Sequence, residues 1–261
     1  MDAELRSATS LAEDELATLF TAAYEGYVLP MTVTVEALRF LTTAYDLDRA
    51  ASLVAVRDGK PVGLVNVGLR GPDAWIGGLG FVPAERRRGT GRRLMEAAQR
   101  EARSRGAERV WLEVIVENVQ AVALYRDLGY AHVRDVEVWS LAGAEGAAAE
   151  CPPEQAHAWI REHRTEREPW QRADASVAHQ GDVRGLAVDG AAALVRVVGG
   201  RVSVLQLAGG IDPLRELLAG ARSLGAPLSV LNLPDGHPGA TALAVLGGRV
   251  DVRQHELVLE L

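Results

Sequence analysis

Five arginines and two glycines fall within the eight residues from Arg86 to Arg93, inside the segment Phe81-Val82-Pro83-Ala84-Glu85-Arg86-Arg87-Arg88-Gly89-Thr90-Gly91-Arg92. An apolar, strand-like run ends at Val82 and a helical pattern begins at Gly89, so the segment is a strand-to-helix turn. Gly89 and Gly91 have no Cβ, which lets the backbone amides at the helix start approach a ligand closely. Free N–H groups and the helix dipole favour an anion there, and the flanking arginines add charge. The chemistry is that of a pyrophosphate cradle. No Gly-Lys-Ser/Thr follows, so this is not a Walker loop, and the dinucleotide pattern G-x-G-x-x-G is absent. Taken alone, the stretch also reads as a solvated basic helix start.

Downstream, Trp111-Leu112-Glu113-Val114, Asn118, Ala123-Leu124-Tyr125 and Leu128-Gly129-Tyr130 follow. Glu113 stands between Leu112 and Val114, where a charge is unexpected unless it points into a cleft or is paired. In a cleft it would accept a proton from a substrate ammonium, directly or through water. At a sheet margin it would be a structural ion-pair partner. Asn118 and Tyr125 are seven apart, two helical turns, so they share a face with ~10 Å between them. A tyrosine on such a face is otherwise a core residue whose hydroxyl finds a partner.

Tyr24-Glu25-Gly26-Tyr27 lies between the first two expected helices, and Tyr24, Glu25 and Tyr27 would suit a cationic amine. The same residues also read as loop covering a core. His157 and His163 are six apart, off a common helix face, and no histidines pair at metal spacing, so no metal is expected. Cys151 is the only cysteine, which excludes an internal disulfide and a cysteine-based metal cluster.

These residues need elements to position them. Leu5 to Ala8 reads as a short strand, and Ser10-Leu11-Ala12-Glu13 as a capping box opening a helix through Leu16, Leu19 and Phe20. Thr34 to Tyr45 is a second helix. Ser52–Arg57 and Pro61–Val67, joined by Asp58-Gly59, form a hairpin signal. Trp75 to Val82 is a strand, and Gly89 to Arg105 a helix with Leu94, Ala98 and Ala102 on one face. Val110 to Val116 has the pattern of a strand buried on both faces. Asn118 to Leu128 is a helix capped by Asn118, with Gly129 just past its end. Val133 to Leu141 is a last strand. The alternation implies an α/β chain with a mixed central sheet flanked by helices.

The chain of 261 residues is 48% hydrophobic and 24% charged, an ordinary globular composition with room for two domains. The longest charge-free run, Gly236 to Gly248, contains Pro238 and four glycines, well short of the ~18 apolar residues a membrane span needs. Met1-Asp2-Ala3-Glu4 lacks the layout of a signal peptide, so the expectation is a cytoplasmic protein. The net charge of −7 argues against nucleic-acid partners. Residues 1–143 carry 17 basic and 20 acidic side chains, so neither half is a basic arm.

A small-residue stretch, Gly143 to Glu150, followed by Cys151-Pro152-Pro153, marks a boundary. The expected division is 1–143, a helical linker 144–170 from Gln155 to Arg164, and 171–261. The last part repeats the first. Ala123-Leu124-Tyr125-Arg126-Asp127-Leu128-Gly129, Arg134 and Glu137 parallel Thr241-Ala242-Leu243-Ala244-Val245-Leu246-Gly247, Arg253 and Glu256, with one extra residue after the glycine. The second copy lacks the chemistry. Its turn is Ala208-Gly209-Gly210-Ile211-Asp212, without arginine, and Leu243 stands where Tyr125 would be.

The R-x-x-G-x-G turn at Arg86–Gly91, followed by Glu113, Asn118 and Tyr125 in order, resembles the GNAT superfamily of acyl-CoA-dependent N-acyltransferases over residues 1–141. The Leu-Glu-Val, Asn and Leu-Tyr spacing is similar to the group that acetylates the N-terminal alanine of a ribosomal protein. The resemblance implies a tandem GNAT-like fold with a degenerate C-terminal copy and acetyl-CoA as co-substrate. It implies an N-acetyltransferase acting on a primary amine of a small molecule or peptide. Leu79, Gly80 and Phe81 would offer strand backbone to the pantetheine arm. Arg86, Arg87, Arg88, Gly89, Thr90, Gly91 and Arg92 would hold the pyrophosphate, and Asn118 would contact the pantetheine region. Glu113 would be general base and Tyr125 general acid. The alternative is a non-catalytic acyl-CoA-binding sensor or partner-binding protein. The degenerate copy would make the chain a monomeric intramolecular pseudo-dimer, or the chain forms a homodimer.

Overall fold

The computed structural model describes residues 3–26, 31–143 and 146–261. The chain divides into two compact units, the first made of 1–114, 118–133 and 257–261, the second of 115–117 and 134–256. This division differs from the one expected at residue 143 in three places. Residues 115–117 and 134–143 fall in the second unit, the 144–170 segment is part of that unit, and 257–261 fall in the first.

The first unit runs β1 (Glu4–Ser7), α1 (Glu13–Ala23), α2 (Val35–Ala44), β2 (Leu53–Arg57), β3 (Lys60–Arg70), β4 (Asp73–Phe81), α3 (Thr90–Ser104), β5 (Arg109–Ile115) and α4 (Val119–Asp127). Its strands lie in the order β1-β2-β3-β4-β5. The first four are antiparallel neighbours and β5 is parallel to β4. Asp58 and Gly59, both at positive φ, turn β2 into β3 as the hairpin signal predicts. One sheet face, with Val54, Val56 and Leu64, packs on Leu16, Phe20 and Leu38 of α1 and α2. The other, with Val65, Val67, Ala74, Val110, Leu112 and Val114, packs on Leu94, Ala98 and Ala102 of α3 and on Tyr125 of α4.

Two local expectations change. Ser10 does not cap α1; its hydroxyl donates to the Ser7 carbonyl in a short 3₁₀ turn. The helix starts later, and Glu15 reaches back to accept from the Ala12 N–H at 2.8 Å. Alanine offers no side-chain acceptor, so only that half of a capping box exists. Nor is β5 buried on both faces. Val110, Leu112 and Val114 are buried while Trp111 and Glu113 are half-exposed on the opposite face.

The second unit contains β6 (Ala131–Leu141) from Arg134 onward, β7 (Glu150–Cys151), α5 (Pro153–His163), α6 (Asp174–Ala178), β8 (Val183–Val188), β9 (Ala191–Val198), β10 (Arg201–Gly209), α7 (Ile211–Ala221), β11 (Leu228–Pro234), α8 (Pro238–Val245) and β12 (Arg249–Glu260) through Glu256. Its strand order is β12-β6-β11-β10-β9-β8-β7. The repeated motif leaves a reciprocal mark. Arg134 pairs with Glu256 at 2.7 Å, and Arg253 pairs with Glu137 at 2.6 Å. Both carboxylates are buried, at 1% and 6% exposure. Among the described residues no helix is long and apolar enough to cross a membrane.

Candidate active site

In the first unit β4 and β5 pair only at Asp73–Arg109, Ala74–Val110 and Trp75–Trp111. Beyond that point β4 stays on β3 through Leu79–Val65, Gly80–Leu64 and Phe81–Gly63, while its β5 side is released from the parallel ladder. Two parallel strands parting in mid-sheet leave backbone groups and a slot for a ligand. Glu113 and Tyr125 lie on opposite faces of the sheet. Glu113 lies on the α1/α2 side, where its Oε2 accepts from Trp75 Nε1 at 2.8 Å. Trp75 in turn meets the Tyr45 ring edge-on, with centroids 5.7 Å apart. Tyr125 lies in the α3/α4 core, edge-to-face with Tyr130 at 5.7 Å.

The turn after β4 has the conformation its glycines suggest. Arg87 (φ 64°) and Gly89 (φ 75°) are both left-handed, and a Cβ at Gly89 would meet nothing within 4 Å. Arg87, Arg88 and Arg92 are exposed, Thr90 is buried, and α3 has no acidic residue in its first turn. Gly91 packs near Phe81 and Leu124, both 3.7 Å from where its Cβ would stand. The donors, open turn and positive charge fit a phosphate-bearing ligand.

Arg86 has a different task from the pyrophosphate contact expected of it. Its guanidinium donates to the carbonyls of Phe81 (3.0 Å), Ala23 (3.2 Å) and Glu25 (2.5 Å), clamping the end of β4 to the end of α1. Asn118 caps α4, its Oδ1 accepting from the Ala121 N–H at 3.2 Å. Tyr24 stacks on Phe20 and lays its hydroxyl against Gly78 of β4. Glu25 meets Arg86 through its carbonyl, and Tyr27 lies outside the described residues. Sequence reasoning missed Tyr45, Trp75 and Asn66 on the Glu113 side. A polar Asn66 inside the apolar run Val62–Val67 was the available signal.

The second unit repeats the parting strands and closes the slot with its own chain. β10 and β11 pair from Val202–Leu228 to Val204–Val230, and β10 then shifts register before Gln206. Gln206, fully buried, donates to the Arg172 carbonyl at 2.6 Å and to Asp174 Oδ1 at 2.9 Å. Arg172, 2% exposed, donates to Glu168 at 2.8 Å and to the Leu231 carbonyl at 3.4 Å. The first turn of α7 carries Asp212 where a phosphate would need positive charge, and Leu243 is buried. Burial would raise Asp174, but hydrogen bonds from Arg164, Gln206 and His157 hold its carboxyl far below the usual range. His157 is thus tied to the Asp174 carboxylate.

His237 caps α8, its Nδ1 accepting from the Gly239 N–H at 2.9 Å. Burial, then the charge of Arg172, push its imidazolium down to about 4 from 6.5. Below pH 6.5 the unfolded chain therefore binds a proton that the fold excludes. Stability from this group is complete above pH 6.5 and is lost as pH falls toward 4, by at most about 3 kcal/mol. The urea midpoint should fall over that window, and His237→Asn, which keeps a cap, should flatten the fall. A wild-type midpoint unchanged from pH 7 to 4.5 contradicts this.

Comparison with known proteins bears on the fold. Residues 14–130 match the family model described as the Acetyltransferase (GNAT) family. That match spans 117 of the 261 residues, all but three of them in the first unit. The fold of the chain resembles the GCN5-related N-acetyltransferase from Sphaerobacter thermophilus at 16% identity, covering 99% of this chain and 95% of that one, with TM-score 0.72. It resembles a tandem GNAT protein from the clavulanic acid biosynthesis pathway at 17% identity, covering 99% and 98%, with TM-score 0.65. A GCN5-related N-acetyltransferase from Kribbella flavida matches at 15% identity, covering 100% and 71%, with TM-score 0.58. None of the curated proteins matches the sequence.

Proposed function

We propose that the first unit is an acetyl-CoA-dependent N-acetyltransferase acting on a primary amine of a small molecule or peptide. The observation that carries this reading is the parting of β4 and β5 after Trp75–Trp111, with a carboxylate on one side and a phenol on the other. The co-substrate supplies an acetyl group activated as a thioester. Amides from Arg87 to Arg92 would hold its pyrophosphate, the β4 edge at Leu79, Gly80 and Phe81 its pantetheine arm, and Asn118 the region beside it.

Glu113 takes a proton from the substrate ammonium, directly or through water, so that the nitrogen lone pair can form the new N–C bond. Strand N–H groups near Gly80 and Phe81 stabilise the oxyanion as charge builds there. The C–S bond breaks, Tyr125 donates its proton to the departing thiolate, and the second amine proton leaves the new amide nitrogen to restore the phenol. Hydrogen bonding to Trp75 fixes the Glu113 carboxylate on the acceptor side.

Calorimetric titration with acetyl-CoA should give one equivalent per chain, because the second unit fills its slot with Arg172 and Gln206. Gly89→Val should weaken that binding at least 10-fold without unfolding the chain. The side chain has room, and the left-handed backbone costs roughly 1–2 kcal/mol. Unchanged affinity in the folded variant, or two equivalents, overturns the site assignment. Thiol release across an amine panel tests catalysis, and binding without release with any amine favours an acyl-CoA-binding sensor.

A further inference from the structure

Gly77 is the extra residue of a bulge in β4, since Asn66 pairs with Gly78 and Val67 with Ile76. The bulge brings two successive positions toward the side chains on the α1/α2 face. A side chain at 77 would strike the Trp75 ring at 2.6 Å and Leu47 at 3.0 Å. One at 78 would strike the Tyr24 hydroxyl at 2.5 Å, with Asn66 Nδ2 at 3.8 Å. Glycine at both keeps a small surface bare, bordered by Tyr24, Asn66 and Trp75, and Trp75 leads to Glu113. Gly77, Gly78 and Leu79 remain half-exposed there, in the middle of the sheet.

Asn66 is only 3% exposed, and its Nδ2 is buried with no hydrogen-bond acceptor. Its strand neighbours Leu64, Val65 and Val67 are fully buried and apolar. Leaving such a donor unmade costs about 1–3 kcal/mol, so an apolar residue would serve the fold better. A buried donor kept beside the bare bulge suits a partner that arrives with the substrate.

We propose that Asn66 donates from Nδ2 to a carbonyl oxygen of the acceptor, which makes the preferred acceptor an α-amino amide and not a plain alkylamine. The inference rests on the acetyl-transfer reading above. Asn66 pairs with Gly78 of the bulge, and its Nδ2 lies 3.8 Å from where a side chain there would begin, within reach of a carbonyl on the carbon next to an amine. Tyr24, itself half-exposed, is the side chain that yields to admit that carbonyl. An acceptor of this kind is a peptide N-terminus or a free amino-acid amide.

The test compares glycinamide with isobutylamine, near-isosteres with and without the carbonyl, in the full chain. Each amine keeps its own basicity in every variant, so the change in the ratio of their kcat/KM values isolates the side chain. Asn66→Leu should lower the glycinamide/isobutylamine ratio at least 10-fold, with acetyl-CoA affinity unchanged and Tm equal or higher. A purely structural asparagine would lower Tm and leave the ratio alone. Asn66→Ser, which keeps a hydroxyl donor, should retain part of the ratio and serves if the leucine variant misfolds. Triglycine beside glycinamide separates the peptide source from the free amide, and either one supports the assignment. An unchanged ratio in both variants overturns it alone. Turnover of no amine by chain loaded with acetyl-CoA overturns the acetyl-transfer reading and this assignment with it.

Discussion

Replacing Tyr125 with phenylalanine should lower kcat ~10²–10⁴-fold while leaving acetyl-CoA affinity within a few-fold. The ring is 6% exposed, packed in the α3/α4 core and edge-on to Tyr130, and phenylalanine keeps all of that packing. What is removed is the hydroxyl that would protonate the departing thiolate. Steady-state thiol release, with calorimetric titration of the same variant, separates the two effects. Turnover near the wild-type rate returns Tyr125 to the role of a core aromatic.

Ending the chain after Glu256 should abolish folding of the first unit. Leu257 is 5% exposed in the core that holds Tyr125, Val110 and Leu112, and Leu259 and Leu261 pack against the same cluster. The Leu261 N–H donates to the Glu108 carbonyl at 2.8 Å. A buried leucine reduced to alanine costs about 2–5 kcal/mol, and a domain holds about 5–15 kcal/mol in all. Loss of three leucines therefore approaches the whole stability. The 1–256 chain, and equally 1–143, should aggregate or bind no acetyl-CoA, while Leu257→Ala should unfold at lower urea yet still bind. A soluble 1–256 chain with wild-type affinity contradicts this.

The GNAT fold was legible because its signals are local. Period and caps delimit α2, α3 and α4, and Asp58-Gly59 fixes the β2–β3 hairpin. The relative placement of Gly89, Glu113, Asn118 and Tyr125 follows from one strand-turn-helix-strand-helix run, which spacing alone can describe. What stayed hidden depends on residues distant in sequence. The Trp75–Glu113 hydrogen bond joins two strands, and the Asn66–Gly78 pairing depends on a bulge that no local pattern announces. Arg86 reads as a phosphate ligand among four other arginines until three carbonyls around it are seen. Leu257, Leu259 and Leu261 alternate like any strand, and nothing in that alternation says which core they enter.

The reciprocal pairs Arg134–Glu256 and Arg253–Glu137 bear on what a duplicated gene is free to lose. The second copy has discarded the arginine turn and the counterpart of Tyr125, changes that leave no buried charge behind. Its Arg253 and Glu256 are not disposable in that way. Losing Arg253 strips the buried Glu137 of that cation, and losing Glu256 takes from Arg134 one of its two carboxylate partners, the other being Glu166. The arginine turn and the tyrosine position can therefore change one substitution at a time. The charged pairs are tied to each other, so a change in one copy leaves a buried carboxylate of the other with a partner fewer.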